Sequence, residues 1–197
     1  MDPQEQLHPA FRGNYYVFRR KVFKLFGGAF HVYDENGQVV LYSRQKAFKL
    51  KEDFRIYADE DQTEELLAIK TPQILDLGAT YYVEDRTTGQ TIGAIRRKAL
   101  KSIVKDEWTF LSSEGREIGI LTEASIGAAL LSRFINLIPQ SYVVNTIDGR
   151  TVAQIRQYFN PFVLKYAMTI TDPQSSFDRR LLICAGIMLA GIEGRQQ

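Results

Sequence analysis

The sequence contains few residues that form disulfides, bind metals or restrict the backbone: its 197 residues include one cysteine, two histidines and six prolines. A lone thiol, Cys184, excludes an intramolecular disulfide and favours a reducing compartment. The first residues, MDPQEQLHPAFRG, are polar and lack the apolar core of a secretion signal. We therefore expect a cytoplasmic protein, either free or peripheral to a membrane.

Groups that carry out catalysis are also scarce. His8 is expected in an N-terminal tail and His31 on the solvent face of a strand, and neither has a second histidine or cysteine at metal-ligand spacing. Cys184 falls in an apolar helix, where a thiol is inert packing. The sequence has no G-x-S-x-G elbow and no P-loop. These features predict a protein that is not an enzyme and that needs no metal or cofactor.

Long apolar runs are absent except at Leu181–Ile192. As a helix this run would span about 18 Å at 1.5 Å per residue, whereas a bilayer core is about 30 Å thick. Because it is apolar on every face, it is predicted to be a buried helix. Ser175 and Asp178 resemble a capping box at its start, and Gly194 is suited to its end. A shallow membrane anchor is the alternative.

What the sequence does contain is a recurring hairpin unit: an aromatic opening strand with period-two alternation, a polar turn with glycine, and a β-branched residue three positions after the glycine. The clearest copies are FHVYDENGQVVLYS (30–43), YYVEDRTTGQTIGAIR (81–96), WTFLSSEGREIGIL (108–121) and YVVNTIDGRTVAQIR (142–156). Phe54–Lys70 is a copy without the turn glycine, and Tyr166–Asp172 resembles a further opening strand. With a first strand at Tyr15–Val22, these segments amount to about a dozen strands, each antiparallel to its neighbours.

A small residue follows the β-branched position in three return strands: Gly93, Gly119 and Ala153. Glycine weakens a strand unless something large must come close to it, and the apolar C-terminal helix is the candidate. The prediction is therefore mainly β: a closed antiparallel barrel of about twelve strands around a buried C-terminal helix. The barrel domain is predicted over 15–194, after a flexible N-terminal tail over 1–14.

This hairpin pattern, closed by an apolar C-terminal helix, resembles the LURP-one-related proteins of the tubby-like and phospholipid scramblase superfamily. The resemblance implies a twelve-stranded barrel around a central helix. Tubby domains bind phosphoinositides through a strand of the form I-G-K-L-R, and the nearest match here is Ile92–Arg96. Arg96 matches the family arginine, whereas Ala94 replaces the lysine. The cysteine cluster and proline-rich tail of scramblases are missing.

The candidate ligand-binding residues are basic. Between residues 96 and 105 the chain reads RRKALKSIVK and contains no acid. Short hairpin turns carry mostly acids and the longer connections mostly bases, which predicts an acidic rim and a basic rim on an up-and-down barrel. A basic rim suits anionic lipid head groups, at about 1 kcal/mol per well-placed base, and ordinary solubilising charge is the alternative. The predicted ligand-binding residues are Arg96, Arg97, Lys98, Lys101 and Lys105.

One segment, 123–140, interrupts the repeat with a helix-like apolar pattern ended by Pro139. It is predicted to pack over a barrel end, and the alternative is an amphipathic surface that binds a protein partner or touches a membrane. No nucleic-acid partner is expected, because most aromatic residues occupy the core position of the repeat. Three functions remain open: a non-enzymatic module that binds anionic phospholipid or phosphoinositide through its basic rim, a protein-interaction scaffold, and a scramblase-like lipid transporter.

Overall fold

A computed structural model describes residues 6–21, 29–45, 53–71, 78–97, 107–124, 140–158 and 163–192. These residues form one short 3₁₀ helix (Pro9–Phe11), twelve strands and one α-helix, α1 (Arg179–Ile192). The strands are β1 (Tyr15–Lys21), β2 (Ala29–Tyr33), β3 (Val39–Gln45), β4 (Asp53–Tyr57), β5 (Glu65–Lys70), β6 (Thr80–Asp85), β7 (Thr91–Arg97), β8 (Glu107–Ser112), β9 (Glu117–Glu123), β10 (Ser141–Thr146), β11 (Thr151–Tyr158) and β12 (Val163–Ile170).

The sheet is a closed barrel in which each strand pairs with its neighbours in the sequence. The first and last strands complete the ring, with Tyr15 opposite Thr169 and Lys21 opposite Val163. All pairings are antiparallel, and because the ring is closed no strand presents a free edge. The predicted fold class, a mainly β barrel of twelve strands around a C-terminal helix, is confirmed.

Each of the five hairpins contains a one-residue bulge at the same place. In the β4–β5 hairpin, Ile56 pairs with Leu67 but Tyr57 pairs with Glu65, so that Leu66 is the extra residue. In the other four hairpins the extra residue is the β-branched residue three positions after the turn glycine. These residues are Val40, Ile92, Ile118 and Val152. A bulge lets two consecutive side chains face the same side, and all five extra residues pack in or against the core.

Helix α1 fills the barrel. Every residue from Leu181 to Gly191 is buried, as expected for a helix that is apolar all round. Gly93 faces the first turn of the helix, since a Cβ there would lie 3.0 Å from Leu181 Cδ1. Gly119 faces Phe177, two residues before the helix, because a Cβ there would lie 2.7 Å from Phe177 Cε2. The helix is thus the large neighbour of Gly93, whereas the segment that leads into the helix is the neighbour of Gly119.

The start of the helix differs from the predicted capping box. Asp178, rather than Ser175, is the N-cap, because its carboxylate accepts a hydrogen bond from the Arg180 N–H at 2.9 Å. Ser175 instead accepts from the N–H of Phe177 at 3.2 Å, within the turn that leads into the helix. A carboxylate is favourable at this position, since it faces the positive end of the helix dipole. Gly194, the predicted end, lies outside the described residues.

Residues N-terminal to position 15, predicted as a tail, pack against the barrel where the structure describes them. Ala10 and Phe11 are buried in the main core. Arg179, itself only 5% exposed, donates from Nη1 to the carbonyl oxygens of Arg12 and Gly13 at 3.0 and 2.7 Å. The first turn of α1 therefore holds this segment across the barrel, and the packed structure begins before residue 15.

The barrel has two distinct ends. The turn end holds the five hairpin turns (34–38, 58–64, 86–90, 113–116 and 147–150) and the start of α1. The strand ends at the opposite end, the connection end, are joined by the six other links: 22–28, 46–52, 71–79, 98–106, 124–140 and 159–162. Most residues of these links lie outside the described residues, including 125–139 of the segment that was predicted to pack over a barrel end. Helix α1 finishes at the connection end. There Arg20 Nη1 donates to the carbonyl oxygens of Ala190 and Gly191 at 3.5 and 3.2 Å, which compensates the negative end of the helix dipole.

We expect that adding one methyl group to the middle of α1 will destabilise the protein. A Cβ on Gly186 would lie 2.4 Å from Cζ of the buried Phe18 ring. Gly186→Ala should lower the free energy of unfolding by about 1–3 kcal/mol, as overpacking does, although the same change stabilises an ordinary helix by about 1 kcal/mol. Urea denaturation followed by circular dichroism measures this change.

A double-mutant cycle supplies the control for this prediction. In a Phe18→Leu background the ring is absent, so Gly186→Ala should cost less than in the wild-type protein. If Gly186→Ala raised the urea midpoint in the wild-type background, the tight packing of α1 within the barrel would be contradicted.

Candidate anion-binding surface

The structure describes two of the five predicted ligand-binding residues, Arg96 and Arg97, and places them at the last two positions of β7. Lys98, Lys101 and Lys105 lie outside the described residues, in the connection that follows. Arg96 points outward, with its side chain 43% exposed and its Nη1 3.9 Å from Oε1 of Glu117. It is therefore accessible at the connection end.

Arg97 points inward and has a different role. Its guanidinium carbon lies 5.4 Å from the centre of the Trp108 ring, and Trp108 is only 2% exposed. The arginine thus covers a core aromatic residue at the mouth of the barrel through a cation–π contact. The structure therefore divides the two predicted residues: Arg96 faces solvent, whereas Arg97 closes the core.

The strand order confirms that hairpin turns and connections lie at opposite ends of the barrel. Their sequences differ in charge: the turns contain eight acids and three bases, whereas the connections contain eight bases and three acids. The acids of the turns are Asp34, Glu35, Asp59, Glu60, Asp61, Glu64, Glu114 and Asp148, and the bases are Arg86, Arg116 and Arg150. The bases of the connections are Lys24, Lys46, Lys49, Lys51, Lys98, Lys101, Lys105 and Arg133, and the acids are Glu52, Asp76 and Asp106.

The barrel wall is also asymmetric in charge, which the order of residues along the chain does not indicate. The acid-free half of the wall, from β10 through β11, β12, β1 and β2 to β3, contains no Asp or Glu in the strand residues that the structure describes. The other half, β4 to β9, carries seven acids: Asp53, Glu65, Glu84, Asp85, Glu107, Glu117 and Glu123. The strands of the acid-free half are far apart in the sequence, at 15–45 and 141–170, so only closure of the barrel brings them together.

Three bases and a tyrosine cluster on the outside of the acid-free half, and we name this cluster the basic wall patch. It comprises Arg19 of β1, Arg156 and Tyr158 of β11, and Lys165 of β12. Register places Lys165 directly opposite both Arg19 and Tyr158. The patch lies near the connection end but on the side of the barrel opposite β7, because β7 is six strands from β1 in either direction.

The turn end carries a cavity of about 240 Å³, lined in part by Leu7, His8, Phe11 and the ion pair of Asp85 with Arg180. Arg180 Nη1 lies 2.6 Å from Asp85 Oδ2, and both side chains are less than a fifth exposed. Burial acts to raise the pKa of the Asp85 carboxyl. The hydrogen bonds from Thr87 and Thr88 and the charge of Arg180 outweigh burial and hold that pKa below its ordinary value.

The polar atoms of this ion pair are occupied by protein partners. Asp85 Oδ1 accepts from the N–H and hydroxyl of Thr87 at 2.8 and 2.6 Å, and Arg180 also binds the helix cap Asp178. The pair therefore joins the β6–β7 turn to the start of α1. Among the residues that the structure describes, no three metal-ligating side chains gather at one place, and no helix there is long and apolar enough to cross a bilayer.

The model of the LURP-one-related family matches residues 39–190, which is more than half of the chain. The match covers β3 to β12 and nearly all of α1. A comparison with curated proteins found no match.

We expect the Asp85–Arg180 pair to contribute to stability at neutral pH and to lose that contribution in acid. Asp85→Asn leaves Arg180 partly unpaired, so it should lower the free energy of unfolding by about 2–4 kcal/mol at pH 7. Folding lowers the pKa of the Asp85 carboxyl. The contribution to stability is therefore complete above the ordinary Asp pKa of about 4, and it is lost as the pH falls through the lower pKa of the folded protein.

Urea denaturation of the wild-type protein and Asp85→Asn between pH 7 and pH 3 measures the difference in their free energies of unfolding. This difference should stay constant down to about pH 5 and shrink at lower pH. A difference that grew on acidification would contradict the assignment of Asp85 as a charged partner in the folded protein.

Proposed function

Because this chain belongs to the LURP-one-related family, which is part of the tubby-like superfamily, we propose that it is a non-enzymatic module that docks on anionic phospholipid surfaces through the connection end of its barrel. The charge separation between the two ends of the barrel carries this proposal. A membrane leaflet rich in anionic lipid attracts a cluster of bases and repels a cluster of acids, so the protein would approach with the connection end first.

The interior supports a binding role rather than a catalytic one. Helix α1 occupies the centre of the barrel. Its apolar residues from Leu181 to Ala190 are each at most 3% exposed. Small-molecule active sites usually occupy a concave pocket, and a barrel filled by its own helix offers its outer surface instead. The two ends and the outer wall of the barrel are therefore the surfaces available for binding.

The sequences of the connections add a second feature that suits a membrane. Apolar residues alternate with the lysines in VFKLFGG (22–28), KAFKLKE (46–52) and KALKSIVKD (98–106). Peripheral membrane segments combine bases for the head groups with apolar side chains for the acyl boundary. By contrast, the turns at the other end consist of polar residues such as DENGQ (34–38) and SEGR (113–116).

Sedimentation with lipid vesicles tests this proposal. Wild-type protein should pellet with phosphatidylcholine vesicles that contain phosphatidylserine or phosphatidylinositol bisphosphate, and not with phosphatidylcholine alone. Replacing two connection-end bases, Lys98→Glu with Lys101→Glu, should weaken binding by about tenfold or more, since each well-placed base contributes about 1 kcal/mol. High salt should have the same effect as the substitutions, because it screens the attraction.

The turn end provides a matched control. Arg116→Glu with Arg150→Glu changes the net charge by the same amount at two exposed positions, and it should leave pelleting unchanged. Equal pelleting of the wild-type protein and the connection-end variant would end this proposal and favour a protein-interaction scaffold. Equal loss in both variants would show that net charge alone, rather than the connection end, determines binding.

A further inference from the structure

The basic wall patch contains two like charges that face each other across a strand pair. Arg19 and Lys165 are direct cross-strand neighbours, and both side chains face outward because the residues beside them, Phe18 and Tyr166, are fully buried in the core. Like charges directly opposite each other on one face destabilise an antiparallel pair. Within the part of the chain that the structure describes, neither cation forms an ion pair.

A second like-charge pair in the barrel is compensated by an acid. Arg44 is opposite Arg55 on β3 and β4, but Arg55 Nη1 lies 2.8 Å from Oε1 of Glu65 on the next strand. The strands that flank Arg19 and Lys165 are β2 and β11, and their described residues include no acid. The chain therefore neutralises one like-charge pair and leaves the other without an anion.

One acid approaches the patch from outside the acid-free half. Oε1 of Glu60, in the β4–β5 turn, lies 3.0 Å from Nε2 of His31, and His31 is opposite Arg19 on β2. Glu60 thus pairs with the histidine, whereas Arg19 contacts an aromatic ring. The positive charge of the patch stays available to a partner.

The charged groups of the patch point in two directions. The Arg19 guanidinium carbon lies 5.4 Å from the centre of the Tyr33 ring on β2. Arg156 and Lys165 lie 5.8 and 5.2 Å from the centre of the Tyr158 ring on β11. Because β2 and β11 lie on opposite sides of the β1–β12 pair, the cations form two separate positive sites. This arrangement suits several anionic groups spread over a surface, and not one small anion.

The outer surface of the patch has the composition of a protein interface. Tyr158 is 42% exposed, and Arg19 and Arg156 are also exposed. Tyrosine and arginine are enriched at protein interfaces and among the residues that contribute most to binding, whereas aspartate and glutamate are depleted there. The aromatic rings also restrict the long cationic side chains without neutralising them, which lowers the entropy cost of ordering them on binding.

From these observations we infer that the basic wall patch binds an acidic segment of another protein. Carboxylates of that segment pair with Arg19 on one side of the β1–β12 pair and with Arg156 and Lys165 on the other. An extended segment presents alternate residues on one face, so a single segment can supply acids to both sites. The patch lies on the wall opposite β7, and this inference does not depend on membrane docking through the connection end.

Fluorescence anisotropy with a defined peptide tests the inference. The probe is a short fluorescein-labelled peptide in which glutamate alternates with serine, and the control peptide carries glutamine in place of glutamate. Wild-type protein should bind the acidic peptide at low salt and should not bind the control peptide. The wall variant, Arg19→Gln with Lys165→Gln, should bind the acidic peptide about fivefold or more weakly, because two surface ion pairs are lost.

Two matched variants remove the same charge elsewhere. Arg116→Gln with Arg150→Gln at the turn end, and Lys98→Gln with Lys101→Gln in the connection after β7, should both bind the acidic peptide as the wild-type protein does. Absence of binding to wild-type protein would overturn the inference. Equal binding to the wall variant, or a loss of the same size in all three variants, would also overturn it.

A variant of unchanged charge separates an ordered surface from diffuse attraction. Tyr158→Leu removes the ring that holds Arg156 and Lys165, and it should weaken binding of the acidic peptide about two- to fivefold, the usual size of an exposed cation–π contact. Circular dichroism should show the wild-type β-sheet signal for this variant and for the wall variant, so that weaker binding reports the surface rather than unfolding. Unchanged affinity in Tyr158→Leu would contradict the ordered surface.

Two further measurements distinguish an acidic protein segment from other occupants. The wall variant should pellet with phosphatidylserine vesicles as the wild-type protein does, whereas Lys98→Glu with Lys101→Glu should lose the vesicles and keep the peptide. If the wall variant instead lost the vesicles and kept the peptide, the patch would be a membrane surface and the inference would fail. Self-association in sedimentation velocity that the wall variant abolishes would assign the patch to a second copy of the chain, which would also overturn it.

Discussion

Burial of a helix that is apolar on every side is the constraint on which this structure depends. Such a helix has no face that tolerates water, so protein must surround it completely. Twelve strands accomplish this by closing into a ring, and closure at the same time removes the exposed edges that an open sheet of this size would present. Local contacts follow from this burial: Gly93 on β7 makes room for Leu181, and Gly186 of the helix makes room for Phe18. Gly119 on β9 makes room for Phe177 in the segment that leads into the helix.

The filled interior also determines where function is possible. The hairpin repeat puts the strand ends that the turns join at one end of the barrel and the strand ends that the other links join at the opposite end. The sequences that link the strands therefore differ in charge between the two ends. Closure adds a second asymmetry, since it joins strands from both ends of the chain into an acid-free half of the wall. The connection end and the basic wall patch are consequences of the same topology, although they face different directions.

The repeat and the terminal helix could be predicted from the sequence because both are periodic and local. Aromatic alternation and turn glycines define each hairpin, and small residues at Gly93 and Gly119 indicated a large neighbour. The bulge that turns Val40 and Ile118 toward the core could not be predicted, because it is visible only in the register of two strands. The basic wall patch was missed for the same reason: Arg19 and Lys165 are far apart in the chain, and only closure between β1 and β12 makes them neighbours.

Reactivity of the chain's single thiol tests the enclosed helix most directly. Cys184 lies in the middle of α1 and is fully buried, and burial raises the pKa of its thiol, which suppresses the reactive thiolate. A maleimide or aromatic disulfide reagent should leave the folded protein unmodified and should label it to completion in urea, with labelling that tracks loss of the β-sheet signal. Rapid stoichiometric labelling of protein that retains its full β-sheet signal would contradict a helix inside the barrel.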